Sequence, residues 1–184
     1  MLDKVREMNK VALIWILLWI IIFLFDRNKW MTQRLCSLGV SIVGKEYYRF
    51  FGGLLLHMNL LHIWANVMGM YYVCYFLNGK VSVGKLLIFS IVAGTIATII
   101  YATFRPQSTM VGGSPMVFAL IGLIIVLQLK HPELPRFRWK SQCGQWIVGY
   151  ATLGNIPILT DDFSAFFVHM LGLGVGMVLG YFAV

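Results

Sequence analysis

The chain has 184 residues, of which 59% are hydrophobic and 12% charged, and its mean hydropathy is +0.79. A soluble globular domain carries about twice that share of charge, so apolar runs recurring along the whole length mark a polytopic membrane protein. The formal net charge of +8 does not make it a nucleic-acid binder, because Lys and Arg collect between the apolar runs, as loop anchors do at a bilayer.

Residues 1–10 are mixed in charge, and a first span is predicted over 11–25. Asp26-Arg27-Asn28-Lys29 follows it in place of a small-residue cleavage site, so the span is expected to be retained. Residues 26–50 form the longest polar connection, and at about 25 residues it should carry short interfacial helices of its own. A second span over 51–77 is apolar but interrupted by His57, Asn59, His62 and Asn66. Asn78-Gly79-Lys80 turns into a third span over 85–104, and residues 105–113 lead to a fourth over 115–129. Residues 130–145 are polar and lie outside the bilayer. A fifth span, about 146–159, holds Gly154 and Pro157 and should be distorted near its end. Thr160-Asp161-Asp162 turns into a sixth over 163–184.

The expected fold is therefore all-α: one membrane domain over 1–184, a six-transmembrane-helix bundle with a long first loop. Six spans put both ends on one side. With the amino terminus cytoplasmic, inside segments hold nine Lys/Arg and outside segments six, the sign that the positive-inside bias requires. The short termini point to a bacterial inner membrane.

A polar, glycine-rich loop becomes an apolar helix at Met110-Val111-Gly112-Gly113-Ser114-Pro115, with Ser114 expected as N-cap and Pro115 at the first helical position. The second, fourth and sixth spans run in one direction, so their amino-terminal ends share a leaflet. The fourth offers only about 22 Å against a hydrocarbon core of about 30 Å, so it begins beneath the surface. The loop before it then dips into the bilayer, which is tolerated only inside protein or along a water-filled cavity. His62 and His169 fall roughly 10–16 Å below their helix starts, at a depth similar to Ser114. Together with Asn66 they describe a water-accessible cavity.

His169, Gly172, Gly176 and Gly180 share one helix face, a stripe of small residues that lets a neighbour approach. Ser114, Phe118 and Gly122 form a matching face at four-residue spacing. Two such faces would bring His169 to Ser114; the alternative is glycine packing around a buried, satisfied histidine. His62 and Asn66, also four apart, could hold a developing oxyanion or simply tie helices together. His57 lies on another face and reads as structural, and His131 sits in a solvated loop. No His-Glu-x-x-His occurs, Asp161 and Asp162 are adjacent in a turn, and Cys36, Cys74 and Cys143 are far apart, so neither a metal nor another cofactor is expected.

Four features, in order on alternate spans, make the chain similar to the rhomboid family of intramembrane serine proteases over about residues 11–184. They are His57-x4-His62-x3-Asn66; Gly112-x-Ser114 with Phe118 and Gly122 beyond it; His169-x2-Gly172-x3-Gly176; and Tyr47-Tyr48-Arg49, where the family usually has Trp-Arg. The resemblance implies a Ser–His dyad. Ser114 would attack the scissile carbonyl and His169 would move its proton. Phe118 would stack on His169, while His62, Asn66 and the Ser114 N–H would hold the oxyanion. Arg49 would anchor the first loop among lipid headgroups. Substrates would be transmembrane segments of other proteins. The chain departs from the family at Pro115, where glycine is usual, at Val168, where a small residue is preferred, and at Tyr48. Pro115 keeps a second reading open, a catalytically inactive relative that binds membrane clients. A transporter would need charged groups along a full path, and the inner half of the bundle has almost none.

Overall fold

The computed structural model describes residues 9–156 and 163–184, which are mostly helical. Helix α1 (Lys10–Phe25) starts where the Asn9 side chain accepts from the Val11 N–H at 2.8 Å. It turns Trp15 and Trp19 inward. Their indole N–H groups donate to Ser90 Oγ and to the Leu54 carbonyl, both at 3.1 Å, so burying them leaves no orphan donor.

After α1, the buried Asp26 carboxylate accepts from the N–H groups of Met31 and Thr32 and from the Thr32 hydroxyl, capping a short helix α2 (Trp30–Leu35). Strand β1 (Ser37–Leu38), helix α3 (Arg49–Gly52) and a 3-10 turn (Gly53–Leu55) follow. Helix α4 (Leu60–Leu77) starts at Leu60, not at residue 51 as the apolar pattern suggests. Leu56 is extended (φ −98°, ψ 156°), and Asn59 caps the new helix by accepting from the His62 N–H at 2.8 Å. His57 therefore precedes the helix, and His62 is its third residue. The depth of roughly 10–16 Å expected for His62 below its helix start does not hold.

Helix α5 (Val83–Phe104) is capped by Ser82 and starts two residues ahead of expectation. Strand β2 (Thr109–Met110) pairs antiparallel with β1, Ser37 opposite Met110 and Leu38 opposite Thr109. Two flanking backbone bonds extend the seam, Gly39 N–H to Ser108 O at 2.8 Å and Ser41 N–H to Pro106 O at 3.0 Å. Helix α6 (Ser114–Lys130) comes next. Helix α7 (Gln142–Leu153) begins at the Ser141 cap, four residues ahead of expectation, and stops at Gly154. Residues 157–159, with Pro157, and the turn 160–162 lie outside the described residues. Helix α8 (Phe163–Ala183) ends the described chain. Among the described residues, α4, α5 and α8 are long and apolar enough to cross a membrane, and α1 and α6 are shorter apolar helices.

The core is α6, buried at every residue from Ser114 to Ile124. Glycines set how close its neighbours come. A methyl group at Gly122 would meet the α8 backbone at Met177 N at 2.7 Å, and one at Gly176 would strike the Ala119 backbone. Packing of this kind replaces the hydrophobic drive that a lipid solvent cannot supply.

Arg49 is 8% exposed and faces into the connection between α1 and α4. Its Nε donates to Glu46 Oε2 at 2.6 Å and another guanidinium N–H donates to the Gln33 carbonyl at 3.0 Å. The hydrogen bond from Arg49 holds the Glu46 carboxyl below its ordinary value. A carboxyl so lowered contributes stability above its unfolded value, and that contribution is lost as the pH falls through the folded one. Proteolytic nicking between Gln33 and Arg49 should therefore accelerate below about pH 4.3, the ordinary Glu value. In Arg49→Ala it should be fast at every pH; equal rates for both proteins at neutral pH would remove this role.

Candidate active site

Gly112 has φ +132°, a conformation that L side chains rarely adopt, and a methyl group there would sit 2.7 Å from His62 Nε2. Its N–H donates to the Gly53 carbonyl at 2.9 Å, which pins the loop between β2 and α6 against the 3-10 turn. A methyl group at Gly113 would run into the Trp19 ring. Only glycine at these two positions lets His62 and Trp19 come this close to the start of α6.

Ser114 is not the N-cap. Gly113 already has helical angles (φ −77°, ψ 0°) and takes that place, its carbonyl accepting from Met116 N–H at 3.0 Å and Val117 N–H at 3.3 Å. Ser114 is the first helical residue and Pro115 the second, and the Ser114 hydroxyl makes no capping bond. Among the described residues neither the Ser114 hydroxyl nor its N–H has a hydrogen-bond partner, although the residue is 7% exposed. The first turn of α6 thus presents an unused hydroxyl and an unused amide side by side.

His169 is 8% exposed on α8. Its ring stacks on Phe118 with centroids 4.3 Å apart and planes 10° from parallel. Phe118 is one turn beyond Ser114 on the same face of α6. Gly172, one turn beyond His169, leaves room for the Pro115 carbonyl, 2.8 Å from where a methyl group would stand. His169 accordingly lies over the first turn of α6. No hydrogen bond joins it to Ser114; its Nδ1 instead contacts Asn155 Oδ1 at 2.9 Å. Sequence reasoning missed Asn155, because it follows the last turn of α7 and belongs to no periodic face.

Asn66 is buried, with its Nδ2 donating to the His62 carbonyl at 2.9 Å and its Oδ1 accepting from the Tyr150 hydroxyl at 3.0 Å. One amide N–H remains for other use. Tyr150, on α7, packs its ring 5.4 Å from Phe118. His57 is 3% exposed, edge-on to both Trp19 and His62 at 5.2 Å, and packs as a ring beneath His62. Ser114, Phe118, Gly112, His62, His57 and Asn66 converge on one end of the bundle with His169 and Gly172, while Gly176 lies deeper and Arg49 stands apart. A free hydroxyl, an oriented imidazole and two nearby donors are the parts of an acyl-transfer centre.

Comparison with known proteins gives the same direction. A family model described as Rhomboid domain matches residues 44–184. The rhomboid protease GlpG of Pectobacterium atrosepticum is 27% identical over 141 residues, which cover 74% of this chain and 48% of that protein. The chain thus spans about half the length of this curated relative. With the family model matched over most of its residues and helices apolar enough to cross a bilayer, this integral membrane protein belongs to the rhomboid family.

Proposed function

We propose that the chain is an intramembrane serine endopeptidase, one rhomboid domain of six spans with its amino terminus in the cytoplasm of a bacterial cell. It cuts transmembrane segments of other membrane proteins. Ser114 Oγ attacks the scissile carbonyl while His169 takes its proton, and the bond to the leaving amine breaks as His169 returns that proton. Water then hydrolyses the acyl-enzyme with His169 as base. His62, the remaining N–H of Asn66 and the Ser114 N–H stabilise the oxyanion. The observation that carries this reading is the Phe118–His169 stack over the turn that offers the free Ser114 hydroxyl. The name of the GlpG relative, a protease, supports it.

A fluorophosphonate probe on the detergent-solubilised protein tests the reading. Wild type should label, and Ser114→Ala and His169→Ala should not. A folded wild type that fails to label would abandon the protease.

Two observations favour the other reading, an inactive relative that binds clients. Pro115 has no N–H to offer beside Ser114, and Ser114 and His169 are not hydrogen-bonded. The second is weak, since catalytic hydrogen bonds often tighten only with substrate. Pro115 is the sharper matter, because removing one oxyanion donor costs about 10²–10³ in rate. Pro115→Gly should therefore raise the labelling rate by about tenfold or more. If it leaves the rate unchanged, the amide at 115 plays no part in holding the oxyanion.

A further inference from the structure

The amide of Asn155 faces two groups of different chemistry. On one side its Nδ2 donates to the Ala151 carbonyl at 2.6 Å, and on the other its Oδ1 contacts His169 Nδ1 at 2.9 Å. A backbone carbonyl only accepts, so the nitrogen of the amide belongs at Ala151 and the oxygen at His169. An amide oxygen also only accepts, so His169 Nδ1 must be the ring nitrogen that carries the proton. The lone pair is then on Nε2. The Asn155 N–H bonds back to the Thr152 carbonyl at 3.0 Å, which fixes the residue at the end of α7.

We propose that Asn155 is the positioning residue for His169, an amide that sets the histidine's tautomer and its rotation and so completes a Ser114–His169–Asn155 row drawn from α6, α8 and the turn after α7. This rests on the protease reading for its catalytic meaning. Phe118 fixes the plane of the ring by stacking, but a ring turned over within that plane would stack equally well. Asn155 removes that freedom, because a turned ring would present a C–H to Oδ1. The base then reaches Ser114 with Nε2 unprotonated. As Ser114 loses its proton to Nε2 during attack, the Nδ1–H bond to Asn155 strengthens against the charge that forms on the ring. Among the described residues no carboxylate contacts His169; the polar groups beside its ring are the Asn155 amide and the Gly154 backbone. An amide can orient a histidine either way round, and the anchor at Ala151 is what makes this one act as an acceptor.

The test uses the full chain in detergent, wild type beside Asn155→Ala, with 15N-labelled histidine. Nitrogen NMR at neutral pH should find His169, identified by the signal missing in His169→Ala, in the Nδ1–H tautomer. Asn155→Ala should return it toward the Nε2–H tautomer that free histidine favours. Cleavage of a transmembrane substrate by Asn155→Ala should lose tenfold or more in kcat with KM held within twofold, while thermal unfolding stays near wild type. An Nε2–H tautomer in the wild type, or a tautomer and kcat unmoved by Asn155→Ala, would overturn the proposal. Should wild type neither label nor cleave, the protease reading fails and the tautomer measurement still decides whether Asn155 orients the ring.

Discussion

Ser114→Ala, His169→Ala and the double variant are expected to lose nearly the same amount of activity. A nucleophile and its base act as a unit, so removing either abolishes the step that both serve. In a serine protease of another fold, losing either the serine or the histidine costs about as much as losing the whole catalytic set, on the order of 10⁶ in kcat. For this protein a loss of about 10⁴ or more from each single variant is expected, with little added by the second. The measurement is kcat on a transmembrane substrate in vesicles, beside thermal unfolding to show that each variant is folded. Losses that multiply instead of saturating would mean that the two residues act independently. The geometry behind the expectation is the 4.3 Å stack of Phe118 on His169, which leaves the ring over the first turn of α6 and nowhere else.

The second large effect concerns packing. Gly176→Val should cost about 3 kcal/mol or more, the upper end of what overpacking costs. A side chain at 176 would run into the Ala119 backbone, and backbone at a helix crossing has no rotamer by which to yield. Helix α8 would be pushed off α6, carrying His169 with it, so stability and activity should fall together. Gly174 is the control. It lies two residues away on α8, where a methyl group would find nothing within 4 Å, so Gly174→Val should change stability by less than about 0.5 kcal/mol. Thermal unfolding of both variants in one detergent settles it; equal shifts would show that the glycine stripe is not what sets the helix distance.

Much of this was readable before any coordinates, and the reasons differ from place to place. The faces of α6 and α8 were legible because helical spacing alone places Ser114 with Phe118 and His169 with Gly172 and Gly176. The start of α4 was not, because residues 51–59 are as apolar as the helix they precede, and hydropathy does not distinguish a 3-10 turn from an α-turn. The local signal is the cap chemistry at Asn59, which hydropathy alone registers only as an interruption. Ser114 was misplaced by one position for a related reason. Ser is a good N-cap by type, but Gly113 adopts helical angles and supplies the carbonyl instead. Arg49 is expected to help anchor the first loop, and the partners that hold its guanidinium, Glu46 and the Gln33 carbonyl, have no periodic signal in the sequence. Asn155 left no pattern at all, since its role depends on where a chain end in α7 meets α8.

The pairing of β1 with β2 has a mechanical meaning. Ser37 and Leu38 are bonded across to Met110 and Thr109, Gly39 and Ser41 reach Ser108 and Pro106, and Gly112 is bonded to Gly53. The segment after α1 and the segment that leads into Ser114 are thereby stitched into one piece of backbone. Neither can swing away without breaking several backbone hydrogen bonds at once, so thermal openings of the two are one cooperative event. On the proposed function, a bulky substrate bound for Ser114 must then go around this seam and spread side chains or whole helices elsewhere.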